Sequence, residues 1–572
     1  MNILVLVFFV VIIVCLVKFQ NYPERVFGSM LAVLYATNFV STEQVVSSFS
    51  NQGLLTLIML ICCSFALEKT KLLRVITASV ISCNYSKTWV RLFGLTALTS
   101  AVLNNTAVVS IMLSPIRNNI YHPASKLLIP LSYAAILGGT LTLVGTSTNL
   151  IVNSLVLDAG LPSLNFFDFT MVGSCAVVAC GVVLYFCSRY LPSYQQSSVE
   201  SSDYFIEAKV ECTSSLVGKS IEQNGLRHLE SLFLVEVLRD GHLMSPVSPS
   251  EVIRKNDRLV FCGDIKKVTM LNQFNGLTLF ADKNGLPLDN LTEVVLKPES
   301  VLVGQSIRNS GFRALFDAAV VAIKRDGQPL SGKLGNIVLK AGDFLILTVG
   351  DDFKSRHNIN KNFFVLSGVE TDSTLQGWRG IVTIVGFFCT IILAAFNIVP
   401  LFKGMFLLLC LLLLSGCLKS NELLQRLPAG IWLIIASALS LSQALTSHNV
   451  LSGLNALIQS YQSVFTPLVG LIVVYCLTWL LTELVTNNAA AALVFPIAFE
   501  LSTSLGVEPM PFILAVAFGA SASFISPYGY QTNLMVYTAG QYRIKDFVRI
   551  GVPMCLTYGV VVISSIYWLI GF

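Results

Sequence analysis

One short polar pattern occurs twice inside the apolar stretches of this chain, once near each end. The first copy reads Leu103-Asn104-Asn105-Thr106-Ala107, followed by Gly145-Thr146-Ser147-Thr148-Asn149. The second reads Thr486-Asn487-Asn488-Ala489-Ala490, followed by Gly529-Tyr530-Gln531-Thr532-Asn533. The spacing from Asn pair to Thr-Asn is almost equal in both. An Asp-Phe pair trails each copy (Asp168-Phe169, Asp546-Phe547), with a glycine shortly after it (Gly173, Gly551). A duplicated membrane unit with uncharged polar clusters at matching places is the sequence mark of a transporter built from two repeats.

The surrounding composition demands lipid. Apolar residues make up 54% of the chain and charged residues 12%, which points to an integral membrane protein. The length allows roughly ten spans of about 20 residues each, plus a soluble portion. A net charge of +5, with no basic tail or aromatic-basic patch, gives no sign of nucleic-acid binding. The segment from Met1 to Leu16 lacks a basic start and a cleavage site, so it is expected to be a first span. The fourteen cysteines sit mostly in apolar runs without metal-ligand spacing, as buried small hydrophobes do.

Apolar segments run to about Leu191, stop for a polar stretch, and resume at Trp378. Spans are expected near 2–17, 26–40, 52–67, 127–157 and 171–190, and again at 379–399, 404–418, 428–446, 511–540 and 550–571. Segments 92–116 and 468–503 are apolar but interrupted by the Asn clusters. The order is the same in each half, a second sign of duplication. Basic residues set the expected orientation. Lys69, Lys71, Arg74, Lys87 and Arg91 precede the first interrupted segment, and Arg117 and Lys126 follow it. It should therefore enter and leave on the cytoplasmic side as a re-entrant hairpin, with Asn104 to Thr106 at its tip. Non-helical backbone at that depth requires surrounding protein or a watery cavity. The stretch 447–510, which includes His448, has no Lys or Arg, so the second hairpin should dip from outside. Lys403 alone falls outside by this count. The expected fold is an α-helical polytopic membrane protein, an inverted repeat with two re-entrant hairpins. Repeat 1 covers 1–191 and repeat 2 covers 378–572.

The polar insert is itself doubled. Leu216-Val217-Gly218-Lys219-Ser220-Ile221, Arg227, Arg239-Asp240-Gly241 and Asp257 match Leu302-Val303-Gly304-Gln305-Ser306-Ile307, Arg313, Arg325-Asp326-Gly327 and Asp343 at one constant offset. Alternating apolar runs leading into Asp-Gly predict β-hairpins. Two small α+β cytosolic modules are expected, at 200–284 and 285–370. No GxGxxG opens a helix, so a complete nucleotide-binding fold is not supported. Arg227 and Arg313 could bind an anion, with solvation the commoner state of such surface charges.

A transport site in lipid must replace a solute's water. Carbonyls freed at a helix break, with Asn and Thr oxygens beside them, suit sodium, and the N-terminal ends of half-helices suit an anion. A lone Asn or Thr in a span is more often a bridge between helices. Four clusters repeating in order are not explained by independent bridges. None of these residues is charged, so neutral donors, helix ends and bound cations must balance an anion. Glu68, beside Lys69, is expected at the interface. Glu483, just before the second Asn pair, is weighed first as a structural partner and second as a coupling carboxylate.

On these residues the chain resembles the divalent anion:sodium symporter family of the ion transporter superfamily, across both membrane halves. The family's hairpin signature is Ser-Asn-Thr, seen here as Asn104-Asn105-Thr106 and Asn487-Asn488-Ala489. Its unwound-helix signature is Thr-Pro-Pro-Asn-like, seen here as Thr148-Asn149 and Thr532-Asn533. Asn stands for Ser in both hairpins, Ala489 lacks the second hydroxyl, and the prolines are absent. The resemblance implies substrate contacts from Asn104, Asn105, Thr106, Asn487, Asn488, Thr532 and Asn533. It implies sodium ligands from Asn105, Gly145, Thr148, Asn149, Asn488, Gly529 and Thr532, with sodium as coupling ion and no other cofactor. It also implies a homodimer moving its site by an elevator motion in the cell (inner) membrane. The insert resembles two tandem TrkA-C domains, which in such permeases accompany sulfate uptake and sulfur response and would answer a cytosolic small molecule.

The expected function is therefore sodium-coupled import of a small divalent anion, sulfate first and dicarboxylate second. A sodium/proton or metalloid exchanger of the same superfamily would need a membrane carboxylate, for which only Glu483 is a candidate. A membrane sensor with little transport is the rival of another class. No nucleophile–base pair or metal cluster suggests an enzyme.

Overall fold

A computed structural model describes residues 11–19, 22–70, 80–117, 119, 121–193, 203–211, 213–226, 229, 232–239, 242–244, 247–264, 271, 273–279, 291–298, 300–325, 328–330, 334–350, 353, 358–367, 375, 377–447 and 466–572. Lys71, Arg74, Arg227, His448 and the start of the first expected span lie outside the described residues. The chain forms two compact units. The first holds Met1–Pro192, Ser373–Val536 and Ile544–Phe572, and the second holds Ser193–Asp372 with Tyr537–Arg543.

Helices build the first unit. After a helical stretch at 11–18 come α1 (Pro23–Ala36), α2 (Thr42–Phe49), α3 (Gln52–Glu68), α4 (Tyr85–Ser100), α5 (Asn105–Arg117), α6 (Leu128–Gly139), α7 (Ser147–Asp158) and α8 (Thr170–Cys187). The later half adds α9 (Trp378–Ala395), α10 (Leu401–Leu414), α11 (Ser420–Arg426), α12 (Ala429–Ser447), α13 (Pro467–Leu484), α14 (Asn487–Leu505), α15 (Met510–Ala520), α16 (Gln531–Ala539) and α17 (Ile544–Leu569). Local chemistry sets many starts. Asn51 and Asn84 accept the first N–H groups of α3 and α4. Ser41 and Gln44 close a reciprocal capping box on α2, and Thr466 caps α13 ahead of Pro467.

Among the described residues, six helices are long and apolar enough to cross a bilayer: Thr42–Glu68, Thr170–Tyr190, Trp378–Ala395, Pro467–Leu484, Asn487–Leu505 and Ile544–Leu569. Shorter apolar helices lie at Ala124–Gly139, Leu401–Leu414, Ala429–Leu445 and Met510–Ala520. A polytopic membrane protein has this make-up. Two expected spans differ in detail. Segment 127–157 is not continuous: α6 and α7 are separated by residues 140–146. Segment 511–540 is likewise α15 and α16, separated by 521–530. Pro527 contributes to the second break, since it lacks an N–H and disfavours helix at the residue before it. The apolar residues flanking both breaks conceal them in a hydrophobicity pattern.

Burial sorts the helices into layers. Every residue of α6 is buried, as is nearly every residue of α7 and α15. By contrast α8, α10 and α17 bury one face and leave apolar side chains such as Val178, Leu414 and Val560 exposed, the pattern of a lipid-facing wall. The interrupted helices are therefore the interior. Packing repeats between the halves: α4 lies on α6 and α13 lies on α15, while α8 packs against α17. Glycines permit the closest approaches. A Cβ on Gly138 would meet the Ala97 carbonyl oxygen at 2.3 Å, and one on Gly519 would lie 3.0 Å from the Thr478 side chain.

The second unit contains two five-stranded antiparallel sheets. The first uses β1 (Asp203–Val210), β2 (Leu232–Arg239), β3 (His242–Met244), β4 (Arg258–Asp264) and β5 (Leu277–Leu279), in the order β3-β2-β4-β1-β5. The second uses β6 (Leu291–Leu296), β7 (Ala318–Arg325), β8 (Gln328–Pro329), β9 (Phe344–Val349) and β10 (Phe363–Ser367), in the order β10-β6-β9-β7-β8. Read from the other edge, these are one topology. The isolated bridges Ser220–Val252 and Ser306–Val338 match as well. So do the guanidinium locks: Arg239 on Asp257 and Arg325 on Asp343, each through two hydrogen bonds of 2.7–2.9 Å.

Candidate functional site

The four polar clusters of the sequence converge inside the first unit. Each Asn cluster lies at a helix–helix joint: α4 ends at Ser100 and α5 begins at Asn105, while α13 ends at Leu484 and α14 begins at Asn487. The joints are built alike. Ser100 Oγ lies 2.6 Å from the Asn105 amide and donates to the Ala135 carbonyl on α6 at 2.9 Å. Thr482 Oγ1 lies 2.8 Å from the Asn487 amide and donates to the Ala520 carbonyl on α15 at 2.7 Å. In each half a hydroxyl five residues before the Asn pins the joint to an interrupted helix.

This match corrects the register expected for the second joint. The partner of Asn105 is Asn487, not Asn488. Capping supplies the reason: Asn104 accepts the Thr106 N–H at 3.0 Å, and Thr486 accepts the Ala489 N–H at 3.4 Å. The corresponding triads are thus Asn104-Asn105-Thr106 and Thr486-Asn487-Asn488. Ala489 is a fully buried residue inside α14 rather than a tip residue.

The interrupted helices are braced from within. Asn149 Nδ2 donates to the Thr142 carbonyl at 2.9 Å, and Asn533 Nδ2 donates to the Ser523 carbonyl at 2.8 Å. Ser132 Oγ on α6 lies 2.9 Å from Thr532 Oγ1 and 2.7 Å from Asn533 Oδ1. Thr532 and Asn533 are fully buried, and these bonds brace them against α6.

Each joint then reaches across to the other half. Thr106 Oγ1 donates to Gln531 Oε1 at 3.2 Å, and Ser147 Oγ donates to Asn488 Oδ1 at 3.1 Å. These two contacts correspond under the same pairing of halves. Asn105 also meets the Tyr530 hydroxyl at 2.6 Å, and Thr146 lies 3.3 Å from that hydroxyl. The Asn105 amide satisfies its neighbours best with Oδ1 accepting from Tyr530 and the nitrogen donating to Ser100 Oγ and to the Gly145 carbonyl, the latter at 3.1 Å. Asn104 and Gln531 are exposed, whereas Thr106, Ser147, Asn488 and Tyr530 are half-buried. This set presents neutral donors and acceptors to solvent.

Two features fit a stripped cation. Thr148 Oγ1 is buried with no hydrogen-bond partner, as are Ser521 Oγ and Ser523 Oγ within the second break. Buried hydroxyls without partners are rare and call for one. Glycine lies next to each: a Cβ on Gly145 would sit 3.0 Å from the Ser100 carbonyl, and one on Gly529 would sit 2.3 Å from Ser523 Oγ. The missing side chains allow close approach at both breaks.

Sequence reasoning missed Ser100 and Thr482, and named Tyr530 in the second cluster without giving it a role. It placed Glu483 between two roles, and its carboxylate accepts three backbone N–H groups of the second break: Phe524 at 3.0 Å, Ile525 at 2.9 Å and Ser526 at 2.9 Å. Structural pairing is what it does. Arg313, exposed in the second module, shares a cavity rim with Arg308. Among the described residues no group of His, Cys, Asp and Glu could hold a metal ion.

Comparison with known proteins agrees with this architecture. The family model described as "Citrate transporter" (CitMHS) matches residues 7–519. A Chlamydomonas reinhardtii protein named "Putative sulfur deprivation response regulator" is 30% identical over 553 residues, covering 91% of this chain and 94% of that protein. Sodium/sulfate cotransporter 2 of the same organism is 32% identical over 367 residues, 62% of this chain and 42% of its own length. The sodium-dependent dicarboxylate transporter SdcS of Staphylococcus saprophyticus is 26% identical over 149 residues, 26% of this chain and 28% of its own. The chain belongs to the citrate transporter (CitMHS) family, related to the sodium/sulfate and dicarboxylate cotransporters, and is a multi-pass membrane transporter of that family.

Proposed function

We propose that this protein is a sodium-coupled importer of a small divalent anion, with sulfate the first substrate and a dicarboxylate the second. The observation that carries the reading is the doubled set of bonds: Ser100–Asn105–Ala135 with Thr482–Asn487–Ala520, crossed by Thr106–Gln531 and Ser147–Asn488. Such a set follows from two halves folded alike, inverted across the bilayer, with α4–α5 and α13–α14 as re-entrant hairpins. Asn105, Thr106, Asn488 and Gln531 hydrogen-bond the anion. Gly145 and Thr148 in one half, and Gly529 with Ser523 in the other, offer oxygens to sodium. The cations supply the charge that these neutral residues lack. Names of relatives favour sulfate: the chain aligns along almost its whole length with a protein named for sulfur deprivation and more briefly with sodium/sulfate cotransporters. The inserted modules, as a TrkA-C-like pair on the cytosolic side, adjust transport in a homodimer of the inner membrane. The three N–H groups held by Glu483 speak against its use as an exchanger's proton carrier.

The test is uptake into liposomes containing the purified chain, with sulfate, succinate, citrate and arsenite offered under an inward sodium gradient. Sulfate should accumulate only with sodium, and Asn105→Ala should abolish uptake while the protein still elutes as a folded species. Unchanged uptake in that variant would remove the site assignment, and absence of counterflow for every solute would leave the sensor reading.

A further inference from the structure

The two halves differ sharply in charge at one corner, formed by the start of α4, the segment before α6 and the end of α8. A cavity of about 240 Å³ opens there, lined by Tyr85, Ser86, Lys126, Tyr185, Ser188 and Arg189. Four hydroxyls and two cations thus line one small hollow. Its walls are set by their own contacts. Ser86 Oγ lies 3.0 Å from the Tyr185 hydroxyl, and the Tyr85 hydroxyl donates to the Lys126 carbonyl at 3.3 Å. Trp89 stands edge-on to Tyr185 with ring centroids 5.1 Å apart, and Arg189 lies 5.8 Å from the Tyr185 ring centre. Neither Lys126 nor Arg189 is in an ion pair among the described residues.

The second half shows that the duplicated frame does not need these charges. Under the pairing that matches Asn105 to Asn487, Pro467, Leu468 and Glu508 stand where Tyr85, Ser86 and Lys126 stand. Under the pairing that matches Gly173 to Gly551, Tyr567 stands for Arg189. The first corner thus gathers two cations around one hollow at positions that the second half fills without any.

We propose that this corner is a phosphate-binding site. Lys126 and Arg189 neutralise the charge, and of the bonded Ser86–Tyr185 hydroxyl pair the one that does not donate to its neighbour donates to a remaining oxygen. The phosphate belongs to an anionic lipid headgroup or to free inorganic phosphate. The lipid source rests on the reading that the ends of α4 and α8 meet the bilayer surface. Bound here, a phosphate ties the root of the first hairpin to α8 and steadies the half that carries Asn105.

The experiment uses the full-length chain and needs no transport, so its result stands apart from that of the uptake assay. Thermal midpoints are measured in phosphatidylcholine nanodiscs, in nanodiscs with one-fifth phosphatidylglycerol, and in phosphatidylcholine with 10 mM inorganic phosphate. Wild type is compared with Lys126→Gln/Arg189→Gln, with the charge-keeping Lys126→Arg/Arg189→Lys, and with Arg379→Gln as a cation elsewhere. The expected result is a rise of several degrees with phosphatidylglycerol, lost in the Gln pair and kept in the other two. A rise with inorganic phosphate alone, again lost in the Gln pair, supports the same site with free phosphate as its source. No rise in wild type, or a rise that the Gln pair retains, overturns the proposal. Should the Gln pair not fold, loss of the rise in the charge-keeping pair overturns it as well.

Discussion

The breaks at 140–146 and 521–530 occupy matching places, yet they are held by different chemistry. In the first, only neutral groups act. Thr142 Oγ1 donates to the Ala101 carbonyl at 2.5 Å and accepts the Gly145 N–H at 3.1 Å. In the second, the Glu483 carboxylate collects the N–H groups of three consecutive residues. The difference traces to one position: the residue after Ser100 is Ala101, and the residue after Thr482 is Glu483. Bonds to an ionised acceptor are roughly twice as strong as neutral ones. The second break is therefore the stiffer, and the first has more freedom to rearrange.

Substitutions can break or sharpen that contrast. Glu483→Ala should be the most damaging, because it leaves three N–H groups without an acceptor in a part-buried setting. A loss of about 3–5 kcal/mol is expected, read as a large fall in the thermal midpoint of the purified protein. Glu483→Gln, which keeps one acceptor oxygen, should fall between that variant and wild type. Thr142→Val should cost about 1–2 kcal/mol. If it destabilises as much as Glu483→Ala, the two breaks are equally stiff and the contrast fails. Thr148→Val should hardly move the midpoint, since the lost hydroxyl has no partner. It should instead raise the sodium concentration for half-maximal uptake on the order of tenfold, or about 1.4 kcal/mol. An unchanged sodium dependence would take Thr148 out of the cation site.

Much of this was legible in the letters. The repeated Asn and Thr-Asn clusters named residues that meet inside the first unit, and the constant offset in the insert marked the matching guanidinium locks Arg239–Asp257 and Arg325–Asp343. What stayed hidden has physical causes. Ser100 and Thr482 carry one function through different residue types, so no repeated letter marks them. The register of the second joint is set by Thr486 as cap, and an Asn-Asn pair can be aligned equally well one step along. Tyr530 matters through a contact with Asn105, far away in sequence, that local pattern cannot show. The breaks in α6–α7 and α15–α16 are flanked by residues as apolar as any span, and periodicity passes over them.

Gly138 lies so close to the Ala97 carbonyl that backbone rests on backbone. With no side chain between them to yield, α4 cannot slip along α6 by even one residue without collision. At this contact α4 and the interrupted helix beside it are one solid piece. Enlarging Gly138 would wedge this block apart, whereas enlarging a residue on the outer face of α8 would merely roughen its exposed apolar face.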